Sequence, residues 1–419
     1  MAKDRKRGAQ DGERNSFAFR LKKNWAYPCC FVAGMIFVWA LRIVIAHYHG
    51  TPTGTDLAKK VVSSNSWGVL AEETFMLERP AEASDDHEVP REIVWRFRDV
   101  TPSALRELIQ SSDLTAPQKA LLLDESRWVV SPNAIEVRPP LTVVRDMDSG
   151  PRQRLYDLLA RSPGNLAQQF PFVFRGSFEE WFAGSDLPKE RLREVARMVF
   201  KKSGASVFAD LPYFQITASS NEVRALIRQL SRVQAVLLDL ELDRHSDLAG
   251  LKHYWLRPQK SDDREPLLDS LAQVQGGSRL NVASLLPPFP RLLLYSYPQP
   301  RPDFPPNADC VWSSMNFFNA QPDNRFVNQQ FTQETLQSQY RVVPKADAFG
   351  DIIMLGAPEP GGAVRMIHMC VHIANDVVFT KNGGDVYQPW VLMRLADVRA
   401  LFPGETNVQV TVFRRNGGS

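Results

Sequence analysis

From Arg91 onward the hydrophobic positions recur with two different periods. Ile93, Trp95 and Phe97 alternate with more polar neighbours, the two-residue period of a strand with one buried face. Thr101-Pro102 then offers a cap and an N1 proline to a helix that carries Leu105, Leu108 and Ile109 on one side. Residues 135–144 read as a strand interrupted by Pro139-Pro140, and residues 151–160 as a helix. A helix over 187–201, a strand over 207–216, a helix over 220–232 opened by Ser219-x-x-Glu222, and a strand over 235–242 follow. Helices and strands therefore alternate across 91–286, which predicts a mixed α/β domain with its own core. No tandem repeat is evident along it.

The pattern changes after Leu286. Residues 287–306 are proline-rich, a semi-rigid linker or strap, interrupted by Leu292 to Tyr297, which reads as a strand. Asp309 is placed to cap a helix in which Val311, Trp312, Met315 and Phe318 fall at helical spacing, with Cys310 in the first turn. Gly350-Asp351 leads into the apolar run Ile352 to Leu355. Met366 to Ala374 reads as a strand, Asn375-Asp376 as a hairpin turn, and Val377 to Thr380 as the returning strand. Residues 408–413 supply a last short strand.

Ahead of these segments, residues 27–46 are about as long as a bilayer-spanning helix and carry a single charge, Arg42. Eight basic against three acidic residues precede them in 1–26, a net +5 that leaves −2 for the rest of a chain at +3. The expected organisation is a basic cytoplasmic tail (1–26), a transmembrane helix (27–46) flanked by Trp25, Tyr27 and Tyr48, and a polar stalk (47–90). The mixed α/β domain (91–286) and a C-terminal domain (287–419) would lie outside the membrane, periplasmic or extracellular. Cys29 and Cys30 read as apolar filler at the membrane edge. At 44% hydrophobic and 23% charged residues the composition is that of an ordinary globular protein, and with its basic residues concentrated in the tail it leaves no basic surface for nucleic acid. Oligomeric state is not readable.

A thiol in the first turn of a helix sits among unpaired amides and the positive end of the helix dipole, which favour a thiolate. A histidine held on a sheet is the rigid mounting a base needs, and His368 opens the second strand. On that strand 368, 370 and 372 share a face, so His372 is a second candidate base, and Cys370 lies where a disulfide to Cys310 is conceivable in an oxidising compartment. Asp239, Glu241, Asp243 and His245 also share one side of a strand; a divalent metal site and a solvated outer face are the two readings, and plain alternation favours the second.

The run Asp309-Cys310, then Gly350-Asp351-Ile352, then His368 followed by VHIANDVVF resembles the NlpC-type cell-wall peptidases, the bacterial branch of the papain-like cysteine hydrolases. The resemblance covers the last quarter of the chain. It implies an α+β fold with a papain-like C-terminal domain, Cys310 as nucleophile, His368 as base, and a cell-wall (peptidoglycan-type) peptide as the amide substrate, with no cofactor. The chain departs from the family at Cys310-Val311-Trp312, where C-S-G is usual, and at Thr380, where a histidine is common. Thr380 and Asn382 are the side chains that could orient the base; Lys381 cannot accept a hydrogen bond. Asn307 and the Cys310 amide are candidate oxyanion donors. Two other readings of the same motifs are an envelope binding or scaffolding protein with a weak or dead site, and a thiol acyltransferase.

Overall fold

The computed structural model describes residues 61–80, 90–256, 264–299, 304–305, 308–359, 362–405 and 407–417. All of them fall within one compact unit, 54–419.

The first elements are a hairpin, β1 (Val61–Asn65) and β2 (Gly68–Leu77). Then comes β3 (Trp95–Arg98), α1 (Pro102–Ser111), α2 (Ala116–Leu122), β4 (Trp128–Ser131), β5 (Ala134–Val137), α3 (Leu141–Asp146) and α4 (Ser149–Leu159). After a single turn, α5 (Leu166–Gln169), the same succession returns: β6 (Phe172–Phe174), α6 (Phe178–Trp181), α7 (Lys189–Met198), β7 (Phe200–Lys202), β8 (Ala205–Phe208), α8 (Leu211–Thr217) and α9 (Ser220–Leu230). Both halves form a three-stranded antiparallel sheet with its third strand in the middle, β3-β5-β4 and β6-β8-β7. The registers correspond as well, Trp95 opposite Val137 and Phe172 opposite Phe208. The chain therefore contains a duplicated module, corrected from the expectation of no repeat. The helix expected over 187–201 is α7 followed by β7, and the strand expected over 207–216 is the end of β8 followed by α8. Pro212 in the first turn favours that switch to helix.

One core holds the two modules together. Trp95 packs edge-on against Tyr156 of α4, and Tyr156 packs edge-on against Phe200 of the second module, with centroids 6.3 and 6.1 Å apart. Beside them Arg152, fully buried, donates from Nη1 to Asp210 at 2.6 Å and from Nη2 to the carbonyls of Val144 and Met147 at 2.6 and 2.9 Å. Tyr156 Oη donates to the other oxygen of Asp210. A buried guanidinium needs acceptors of this kind; both terminal nitrogens of Arg152 have them, while its Nε has none among the described residues.

The rest of the chain is built on two larger sheets. β9 (Val233–Leu242) pairs with β2, and β10 (Ser278–Asn281) completes the order β1-β2-β9-β10. Between β9 and β10 lie α10 (Leu248–Leu256) and α11 (Arg264–Ala272). After α12 (Pro288–Leu293), which replaces the strand expected over 292–297, come α13 (Cys310–Met315), α14 (Gln329–Gln339), β11 (Tyr340–Val343), β12 (Ile352–Pro358), β13 (Val364–Ala374), β14 (Val377–Lys381), β15 (Trp390–Arg394), α15 (Leu395–Ala400) and β16 (Gln409–Arg415). Their antiparallel sheet has the order β11-β16-β12-β13-β14-β15. Leu238, Leu240, Trp255 and Leu285 share a core with Trp312, Val371 and Phe379, so the described residues of 233–286 pack with the C-terminal sheet rather than with the module that precedes them.

The expected α+β fold, a transmembrane helix followed by a self-contained middle domain and a papain-like domain, is thereby corrected. The described residues form a mixed α/β arrangement with several sheets, and none of their helices is long and apolar enough to cross a membrane. The span expected at 27–46, with Cys29 and Cys30, lies outside the described residues.

Removing the carboxylate of Asp210 strands a buried guanidinium. Asp210→Ala is expected to lower stability by about 3–5 kcal/mol in urea denaturation, and the Arg152→Met/Asp210→Leu pair to cost less than Asp210→Ala alone.

Candidate functional site

Asp309 caps α13 as its position predicts. Its Oδ1 accepts from the amides of Val311 and Trp312, both at 2.9 Å. The buried face of the helix is fixed from three sides. Trp312 meets Phe289 and Phe304 edge-on at 5.2 and 5.0 Å, its indole donates to Asn324 at 3.1 Å, and Trp390 Nε1 donates to Ser313 at 2.8 Å. Cys310 as a residue is half-buried, but its sulfur is enclosed. Burial, and after it the charge of Asp309, push the thiol up to about 12, against the Met369 amide and Lys381, which favour the thiolate. The helix end that should activate the sulfur is occupied by its own capping carboxylate.

The two strands expected to carry the base lie where the pattern puts them, with the turn at Asn375 at a φ of 54°. Side chains of β13 leave alternately on the two faces of the sheet. Met369, Val371 and Ile373 pack in the core that contains Trp312 and Phe379; Cys370 packs in the opposite core with Ile353, Val378 and Val391. His368 has the parity of Cys370 and lies opposite Leu355, a member of that second core. Cys310 packs against the first core. The nucleophile and base expected to form a pair are thus on opposite faces of β13. Cys310 and Cys370 are both free thiols, so the conceivable disulfide is not formed.

The other expected members follow His368. Its Nε2 is 2.7 Å from Thr380 Oγ1, and Thr380 donates to Asn382 Oδ1 at 3.1 Å. Because the one hydroxyl proton is directed to Asn382, Thr380 accepts from His368, which fixes a neutral imidazole with its proton on Nε2. Asn382 Nδ2 points to Met393 Sδ at 3.1 Å, and the Phe402 ring covers the imidazole with centroids 5.2 Å apart. His368 is 1% exposed, and burial pushes its pKa down to about 3. Thr380 therefore holds the histidine and Asn382 holds Thr380, yet the histidine makes no hydrogen bond to a thiol. Asn307 lies outside the described residues.

The residue that does face Cys310 is Lys381, one position along from Thr380 and so on the other face. Its ammonium donates to the carbonyls of Gly383 and Asp385 and sits 5.5 Å from the Trp390 ring centroid. Burial pushes its pKa down to about 8, against the raising influence of Asp385, Cys310 and Asp309. Counting parity from Thr380 would have found it. His372 is buried too, its Nε2 3.4 Å from Tyr254 Oη, and burial lowers it to about 4 against the raising effect of Asp351 and Asp347.

The Gly350-Asp351 motif has a structural part. Gly350 has a φ of +89°, and a Cβ there would overlap the Phe318 ring. Asp351, 1% exposed, accepts from Arg414 at 2.7 and 2.6 Å and from the amides of Asp347 and Ala348 at 3.1 and 3.0 Å. The acidic series on β9 does not converge: Asp239 accepts from Asn281 at 3.0 Å, Glu241 faces Arg279 at 3.3 Å, and Asp243 caps a turn at His245 and Ser246. Among the described residues no group of three or more metal-ligating side chains forms.

A second feature is a cleft of about 1380 Å³ between the second module and the His368 face of the C-terminal sheet. Phe170, Phe172, Asn382, Tyr387, Gln388 and Phe402 are among its walls. Arg175 pairs with Asp397 across it, Ser203 Oγ donates to the Pro403 carbonyl at 2.6 Å, and Phe172 meets Tyr387 at 5.6 Å. No sequence motif marks this cleft, because its walls come from segments two hundred residues apart.

His368 and His372 both have folded pKa values below the free value of 6.5, so the unfolded chain binds more protons below that pH. Their contribution to stability is complete above pH 6.5 and is lost as pH falls toward 4 and then 3. Urea midpoints between pH 7 and 4.5 should therefore drop with acid, and His368→Leu should flatten that slope while lowering the midpoint at pH 7.

In comparison with known proteins, no family model, no curated protein and no solved structure matches the chain.

Proposed function

We propose that the chain is a non-catalytic binding protein that keeps the motif order of NlpC-type cell-wall hydrolases without a working thiol pair, and that its working surface is the cleft over the His368 face. The observation that carries this reading is the placement of Cys310 and His368 on opposite faces of β13. The environment of each group agrees: burial raises the thiol and lowers the imidazole, which Phe402 covers, so proton transfer to a thiolate–imidazolium pair is disfavoured at both ends. The cleft is larger than the usual small-molecule pocket and has a mixed lining, with aromatic walls and side-chain amides. A peptide of the cell-wall type is the partner this reading favours.

The competing reading, a cysteine peptidase, amidase or acyltransferase acting through Cys310, is favoured by one observation, the intact His368–Thr380–Asn382 chain. Alkylation of Cys310 with iodoacetamide as a function of pH, followed by mass spectrometry in the wild type and in His368→Ala, separates the two. The binding reading expects slow labelling with no inflection below the ordinary thiol pKa of about 8.5, alike in both proteins. An inflection well below that value, lost in His368→Ala, would overturn it in favour of the hydrolase.

A further inference from the structure

The duplicated modules differ at one strand edge. In the first, β3 is an edge strand whose outward groups are sealed by side chains. Asn165 Oδ1 accepts from the Arg96 amide at 2.9 Å while its Nδ2 donates to the Arg96 carbonyl at 2.7 Å, and Ser162 Oγ accepts from the Arg98 amide at 3.2 Å. Asn165 thus occupies both groups that a neighbouring strand would use, and it is 2% exposed. The sealing residues come from the loop that follows α4.

In the second module β6 has the same place, partner and register, so Val173 and Arg175 stand where Arg96 and Arg98 stand in the first. No seal returns to them, because the chain leaves α9 directly into β9. Among the described residues the outward amide and carbonyl of Val173 have no hydrogen-bond partner. The whole of β6, with Pro171 and Arg175, lines the cleft.

The surroundings of that edge specify what it would take. Leu166 and Phe170 lie at the cleft 66% and 71% exposed, apolar surface left uncovered. Most cleft charges are matched within the protein: Arg175 with Asp397, Lys202 with Asp157, Arg365 with Glu405. Arg161, exposed on the same wall, has no ion-pair partner among the described residues.

We infer that β6 binds an extended peptide by strand addition in the cleft, with an apolar side chain of the peptide against Leu166 and Phe170 and a carboxylate on Arg161. Main-chain hydrogen bonds to Val173 supply the pairing, and the two side-chain contacts supply the selection. The inference rests on the cleft being the binding surface and adds the class of partner and the mode of recognition.

The test screens the immobilised full chain against a phage-displayed library of short random peptides and titrates the enriched sequence against wild type, Val173→Pro and Arg161→Glu. Proline is tolerated at a strand edge whose amide is outside the ladder, so Val173→Pro should keep its melting temperature. The expected result is enrichment of peptides with paired apolar and acidic residues, binding weakened about tenfold or more by either substitution, and slowed hydrogen exchange at the Val173 amide of the wild type on peptide addition. The exchange measurement decides the matter if Val173→Pro fails to fold. Absence of any enriched peptide overturns strand addition, as does binding that leaves Val173 exchange unchanged. A soluble cell-wall muropeptide, titrated in parallel, separates the two levels: if it perturbs cleft residues while linear peptides do not bind, strand addition fails and the cleft remains a binding surface. If Cys310 instead labels as an activated thiol dependent on His368, the underlying reading fails as well.

Discussion

Successive side chains of a strand leave on opposite faces, and in this protein that constraint decides what the C-terminal sheet can do. From His368 to Ala374 β13 is buried on both sides, so its apolar residues there are committed to one of two cores. Met369, Val371 and Ile373 hold α13 and with it Cys310, while His368 and Cys370 look the other way. No rotamer change carries a side chain through a sheet whose cross-strand partners are themselves buried. A shift of one residue in register would exchange the faces and with them every apolar contact of the strand. The chemistry of both groups follows: the thiol is left with a carboxylate and a buried lysine, and the imidazole with a hydroxyl, an amide and a phenyl ring.

The second organising contact is the buried cluster of Arg152, Tyr156 and Asp210. It joins α4 of the first module to the start of α8 in the second, and α4 is also the helix whose following loop seals β3. The same helix therefore positions one sheet against the other and closes the first sheet's edge. From the second module the path runs through the Arg175–Asp397 pair and the Phe172–Tyr387 contact to the C-terminal sheet. The walls of the cleft are in this way fastened to each other at side-chain level although they are far apart in the chain.

Much of the local structure was legible from residues. Asp309 as cap of α13, the β13–β14 hairpin turning at Asn375, and the capped helices at Thr101 and Ser219 all follow from neighbouring side chains and backbone preferences. The pairing of Cys310 with His368 did not, because it depends on which face of β13 meets α13, and a strand buried on both faces from His368 onward has no solvated side to tell them apart. The duplication was hidden for a related reason. What the modules share is a pattern of size and burial, Trp95-Arg96-Phe97-Arg98 beside Phe172-Val173-Phe174-Arg175, while α6 is much shorter than α1 and the identical residues are few. The partition of β9 into the C-terminal core was equally silent, since its alternation fits any sheet with one buried face.

Asn165 shows how a copied module can keep its stability while its twin is put to another use. An open edge in free solution is a template for self-association, since any second sheet can dock against it. β6 keeps its edge at the side of a cleft whose far wall is tied to it by Arg175 and Phe172. A single extended chain needs only about 4.8 Å beside its neighbour, whereas a folded sheet brings its own packed layers roughly 10 Å deep. Recessing the edge therefore selects by thickness, favouring a single strand over a second folded sheet and so working against the edge-to-edge pairing that seeds aggregation.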